Sequence, residues 1–235
     1  MLNRNNLRRL TACFAMSLAG LALNAQEPSF SGELSWQITA GYSQSAFRGK
    51  DISFVFENGK AAPSSNYFMG LQLNQPLTEK WGLQYAVNFQ RRGARLTLEN
   101  TNLQLTETQL HSYYITLMPI ALTYRYHRVR LAAGPYFSSL LQATLIAGES
   151  TVFGRHGLYG KPNNSEDKHL YLQKIDWGWQ STLELSLSRH FALQASYMLG
   201  LNDSFQNANA YDHKSSKTKI DVYQNNWMLG LSYKF

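Results

Sequence analysis

Along most of the chain, every second side chain is large and apolar, and those between are small or polar. In "NNWMLGLSYKF", Asn225 to Phe235, one face carries Trp227, Leu229, Leu231, Tyr233 and Phe235. The other carries Met228, Gly230, Ser232 and Lys234. A period of two is the signature of a strand. Seven further segments repeat it. Leu34, Trp36, Ile38, Ala40 and Tyr42 align in the first; Tyr67, Met69, Leu71 and Leu73 in the second; Trp81, Leu83, Tyr85, Val87 and Phe89 in the third. The fourth aligns Met118, Ile120, Leu122, Tyr124 and Tyr126, and the fifth Val129, Leu131, Ala133, Pro135 and Phe137. Ile175, Trp177, Trp179, Leu183, Leu185 and Leu187 form the sixth, and Phe191, Leu193, Ala195, Tyr197, Leu199 and Leu201 the seventh. Pro119 and Pro135 interrupt two of these segments, and each is expected to mark a bulge or a missing ladder hydrogen bond.

The connections between segments alternate in length. Those at 78–80, 127–128 and 188–190 are tight; those at 50–65, 99–109, 148–170 and 202–222 are long. A soluble sandwich has no reason to place every long loop at one end. A transmembrane barrel does, with short periplasmic turns and longer external loops around an even number of strands. Aromatic residues follow the same frame. Trp81, Tyr124, Tyr126, Phe191, Tyr233 and Phe235 lie beside the short turns, and Tyr42, Tyr67, Trp177 and Trp179 lie toward the long loops. Two aromatic girdles around an aliphatic band suit a wall crossing two interfaces. The pattern therefore predicts an all-β fold: a closed antiparallel transmembrane β-barrel of eight strands. The last strand pairs with the first, so that no edge is left open in lipid.

Composition narrows the setting. Arg4, Arg8 and Arg9 precede the apolar run "LTACFAMSLAGLAL", and "LNA" follows it, which reads as a cleavable signal peptide over residues 1–25 with the barrel domain over 26–235. The run falls short of the roughly 18–20 residues of a spanning helix. Cys13, the only cysteine, lies in this leader and precedes most of the apolar run, an arrangement opposite to that of a lipoprotein. The mature chain then has no disulfide, thiolate metal site or cysteine nucleophile. Losing three leader arginines lowers the formal charge from +7 to +4. That excess contains no long basic run and does not suggest a nucleic-acid partner.

The stretches "PLTEKWGLQYAVNFQRRGARL", "YYITLMPIALTYRY", "VRLAAGPYFSSLLQATL" and "NNWMLGLSYKF" together resemble the outer-membrane β-barrel "porin family", PorT-like proteins included. The resemblance implies a bacterial outer-membrane location and a small barrel, without agreed catalytic or ligand residues. One branch of the family serves a secretion apparatus. The strand bearing Trp227, Leu229, Leu231, Tyr233 and Phe235 resembles the C-terminal signal read by the outer-membrane assembly machinery.

Candidate chemistry lies in the lumen and at the external rim. An eight-stranded barrel is just wide enough for side chains to fill it. Gln37, Gln72, Gln84, Asn88, Gln90, Arg92, Arg125, Arg130, Asp176, Gln180, Glu184 and Gln194 are expected inside. They can line a narrow conduit or form a packed network in which Arg92, Arg125 and Arg130 neutralise Asp176 and Glu184; size favours the packed network. No nucleophile motif surrounds any histidine. His111 beside Ser112, or His156 and His169 with Asp167, could be drawn as the constellation of a rim enzyme. Glu166, Asp167 and His169 make only a weak metal set, so no cofactor is expected. The segment "RLTLENTNLQLTETQL" keeps alternating past the membrane band and predicts a protruding ribbon, with "KTKIDVYQ" as a second. An exposed ribbon edge suits a protein partner at the external loops. Lys214, Lys217, Lys219, Arg155 and Lys161 suit contact with outer-leaflet lipid phosphates. The leading expectation is a non-enzymatic barrel with a structural, surface-interaction or limited-permeability role. A narrow solute channel, an accessory part of a secretion apparatus and a rim enzyme are the alternatives.

Overall fold

The computed structural model describes residues 33–52, 60–100, 103–147, 156–157, 171–206 and 221–235. The expected leader at 1–25 lies outside them. Eight strands make the wall: β1 (Ser35–Gly49), β2 (Lys60–Pro76), β3 (Trp81–Asn100), β4 (Leu103–Tyr126), β5 (Val129–Ala147), β6 (Ile175–Ser186), β7 (Phe191–Gly200) and β8 (Val222–Lys234). Consecutive strands pair antiparallel, and β8 pairs with β1 from Gln37↔Lys234 to Gly49↔Val222. The barrel is closed. The tail strand is the seam that removes the last edge.

Alternation places polar side chains inside and apolar ones outside. In β1, Gln37, Thr39, Ser43 and Ser45 are fully buried, whereas Trp36, Ile38 and Tyr42 are exposed. In β8, Trp227 is 60% exposed and Leu229 52%, against 1% for Asn226 and 0% for Ser232. This inverts the pattern of a soluble protein and matches a wall solvated by lipid.

Pro119 shifts this phase. The β3–β4 ladder steps from Gln84↔Ala121 to Ala86↔Met118, which inserts one extra residue in β4. The β4–β5 ladder breaks over the same stretch, between Leu117↔Phe137 and Leu122↔Ala133. Pro135 lies within that gap, so the two prolines share one interruption. Neither can donate a ladder hydrogen bond, and the bulge absorbs both. As a result Met118 and Ala121 both face inward, at 1% exposure each, while Ile120 and Leu122 face out. Met118 therefore does not share the outer face expected of it, because the bulge reverses the parity between Met118 and Ile120.

The wall is uneven in height. About 9–11 tilted residues cross a bilayer. Strands β6 and β7, with 12 and 10 residues, do little more than that. Strands β3 and β4 have 20 and 24 residues. Their ladder runs through Leu98↔Thr106 to Asn100↔Leu103, so most of the expected long connection at 99–109 continues the strand pair. Strand β2 likewise starts at Lys60, inside the expected 50–65 connection. Residues 217–220 of the second expected ribbon lie outside the described residues.

The barrel lumen as candidate functional site

Two charged clusters occupy the lumen, one toward each end. Near the external end, β3 turns Arg92 inward and β6 presents Asp176 across the barrel, with Arg92 Nη1 donating to Asp176 Oδ2 at 2.6 Å. Arg92 Nη2 donates to Ser138 Oγ at 2.8 Å and Thr116 Oγ1 at 3.2 Å. Tyr136 OH donates to the same Asp176 oxygen at 3.1 Å. The Tyr114 and Tyr136 rings lie 4.5 and 5.7 Å from the guanidinium carbon. Arg92 is 1% exposed. Such a charge is tolerable inside only when it is paired and hydrogen-bonded on several sides.

Above this cluster, an apolar group caps the lumen beside the buried, hydrogen-bonded Ser45, Ser64 and Asn66. Phe47, Leu110, Tyr114, Leu140, Leu172, Phe205 and Val222 pack together there. Leu172 and Phe205 come from two short strands, Tyr171–Leu172 and Phe205–Gln206, which pair with each other. Phe205 meets the Phe47 ring at 5.4 Å. Below the cluster, Phe68, Tyr136, Met198 and Met228 form an apolar layer across the barrel. Gly230 leaves room for it, since a Cβ there would stand 2.7 Å from the Phe68 ring.

Uncharged amides fill the middle. Gln72 Nε2 donates to Gln194 Oε1 at 2.9 Å, and Gln84 Nε2 donates to Gln72 Oε1. Asn226 donates to Gln90, whose own amide donates to Thr116 and so joins this region to the external cluster. Asn88 and Gln180 are buried on the same inner face.

The periplasmic cluster centres on Glu184 of β6. Oε2 accepts from Gln37 Nε2 at 2.9 Å and from Arg130 Nη2, and Oε1 stands 2.7 Å from Lys234 Nζ. Arg130 also donates to Gln37 Oε1 at 3.0 Å, and Lys234 to Ser186 Oγ at 2.9 Å. A cavity of about 60 Å³ adjoins this cluster at the mouth, lined in part by Asn74, Thr123, Arg125 and Arg130.

The structure thus brings Arg92 to Asp176 and Arg130 to Glu184. Arg125 reaches neither carboxylate; it lies half-buried at the mouth, with its backbone N–H bonded to Lys80 O. Lys234, not expected in the network, takes the place foreseen for it. Its parity in the tail was the available signal. Leu172 and Phe205 of the apolar cap had none, because they belong to two-residue strands inside stretches that read as loops. His111 and Ser112 point to opposite faces, since Ser112 is buried and donates to Arg92 O at 3.1 Å. They do not form a rim pair. The His156, Asp167 and His169 side chains, and Glu166, lie outside the described residues.

On the outer wall, the periplasmic girdle residues pack in pairs. Trp81 and Tyr124 lie 4.9 Å apart, and Phe191 meets Tyr233 edge-on at 5.3 Å. Tyr233 meets Phe235 at the same distance, and Tyr126 is 61% exposed. Trp177 and Trp179 are exposed nearer the external side, and Leu231 and Phe235 complete the exposed face of the tail.

Three solved structures are similar in fold. Ail of Yersinia pestis aligns at 17% identity and TM-score 0.42, covering 86% of this chain and 99% of its own. Neisserial surface protein A aligns at 13% and 0.48, covering 86% and 99%. OprG of Pseudomonas aeruginosa aligns at 14% and 0.42, covering 86% and 95%. The sequence matches no curated protein. The family described as "Outer membrane protein beta-barrel domain" matches residues 24–206, most of the chain. A closed wall with its apolar face outward fits that description, and this chain belongs to the outer membrane protein beta-barrel family of the bacterial outer membrane.

Proposed function

We propose that the protein is a non-conducting, non-enzymatic barrel whose working surface is its external rim, with an attachment or docking role. The observation that carries this reading is the filled lumen. Two ion-paired clusters, an amide layer and an apolar cap occupy the length of the barrel, and the Arg92 charge is locked to Asp176 across its width. Ions crossing it would have to break a buried pair, which costs several kcal/mol. Beyond Thr97 and Thr108, where the ladders to β2 and β5 end, the β3–β4 ribbon then offers an unpaired edge to a partner. An accessory part of a secretion apparatus is the alternative, with the same ribbon as the docking element.

The test is single-channel recording of the refolded protein in a planar bilayer, with insertion verified by heat-modifiable gel mobility. The expected record is silent. Stable steps whose size changes on Arg92→Gln or Glu184→Gln would make the lumen a pathway and overturn the reading.

A further inference from the structure

The outer wall of the ribbon carries a basic patch that the filled lumen does not explain. Alternate residues of β3 on this face run Phe89, Arg91, Gly93 and Arg95 toward the external end. Across the ladder, Tyr113 is opposite Arg91, His111 opposite Gly93 and Gln109 opposite Arg95. Arg91 Nη2 bonds His111 Nε2, a ring nitrogen rather than an anion. Arg91 Nε–H is itself buried without a hydrogen-bond partner, and Arg91 pairs with no carboxylate among the described residues. Tyr67 on β2 stands beside Tyr113, within reach of the Arg91 charge. Arg95 is exposed two steps further out on the same face, beyond Gly93.

The surroundings say what would neutralise this charge. Phe89 stacks on Tyr113, with centroids 6.0 Å apart. Toward the membrane centre the same face becomes wholly apolar, with Val87, Ile115 and Leu117 each 43–47% exposed. Arginine thus lies immediately outside the aromatic band that meets the headgroups. The opposite wall differs. There Arg48 donates to Asn225 Oδ1 and Gly200 O, both at 2.9 Å, and stacks on Tyr223, so it is already held by protein acceptors and a ring.

We infer that this face of the ribbon binds the phosphate of an outer-leaflet acyl lipid. Arg91 and Arg95 take the phosphate oxygens, the Tyr67 and Tyr113 hydroxyls flank them, and the acyl chains lie along Val87, Ile115 and Leu117. Guanidinium and phosphate oxygens match in geometry and form charge-assisted hydrogen bonds. The continuous apolar strip below selects a lipid over a free anion.

Native mass spectrometry of the refolded barrel with bis-phosphorylated lipid A tests this. A lipid adduct is expected that Arg91→Gln with Arg95→Gln weakens at least about tenfold, the equivalent of losing one charge-assisted hydrogen bond. Arg48→Gln should leave it unchanged. Heat-modifiable mobility checks that each variant is folded, and both arginines face outward, away from the packed interior. Retention of dephosphorylated lipid A as strong as that of the bis-phosphorylated form would overturn the inference, as would an unaltered adduct in the double variant. Full displacement by inorganic phosphate would assign the site to a free anion and equally defeat it.

Discussion

The two ends of the lumen use the same chemical device in different settings. At the external end one guanidinium meets one carboxylate, Arg92 with Asp176, and an apolar cap closes over them. At the periplasmic end one carboxylate, Glu184, meets Arg130 and Lys234, with Arg125 nearby and a cavity of about 60 Å³ beside them. Arg92 and Asp176 balance one another under apolar side chains, whereas Glu184 faces more than one cation beside a cavity, although both pairs are buried. That is the arrangement electrostatics favours, because an uncompensated charge is costly only where it cannot be hydrated. The external end is a seal and the periplasmic end a vestibule.

The most damaging way to break this contrast is Asp176→Asn. It leaves Arg92, which is 1% exposed, charged and unpaired beneath the cap. Breaking a buried pair in this way is expected to cost about 3–5 kcal/mol. Urea unfolding of the refolded barrel, followed by tryptophan fluorescence, would measure it. Arg92→Met combined with Asp176→Leu should recover most of that loss, since no charge then remains to be buried. A cost below about 1 kcal/mol for the single substitution would mean that water already reaches Arg92, and the external seal would not exist.

Glu184→Gln applies the same change at the other end. The new amide still accepts from Gln37 and Arg130, and Lys234, whose side chain is 21% exposed, can turn to water. The expected loss is about 1–2 kcal/mol. Added salt should shrink it, because screening reaches charges in contact with solvent and not those under the cap. Equal costs for the two substitutions, with equal salt dependence, would erase the distinction between the ends.

Much of this was legible in the alternation. Strand number, closure and the inward position of Arg92, Arg130, Asp176 and Glu184 all follow from parity and from the short–long rhythm of the connections. What parity could not supply was its own reversal. The bulge at Pro119 turns Met118 from the lipid face to the interior, and the proline gives only the place of the irregularity, not its phase. Partner choice within the lumen was equally hidden. Arg125, Arg130 and Lys234 share the inner face, yet which of them reaches Glu184 depends on strand register across the closed barrel. The cap was the least visible, since Leu172 and Phe205 enter from segments too short to show any period.

Arg125 offers the finest test of the contrast. It lines the periplasmic cavity, shares a strand pair with Arg130 and forms no ion pair among the described residues. If the mouth is hydrated, its charge is solvated, and Arg125→Gln should change stability by no more than about 0.5 kcal/mol, the usual range for a surface position. The sign sharpens the point further. Arg125 and Arg130 sit opposite each other as like charges, so their repulsion is relieved on substitution, and the small change should be toward greater stability. A loss of about 2 kcal/mol instead would show that Arg125 balances Glu184 through the mouth. The vestibule would then be as tightly committed as the seal, with three cations sharing one carboxylate.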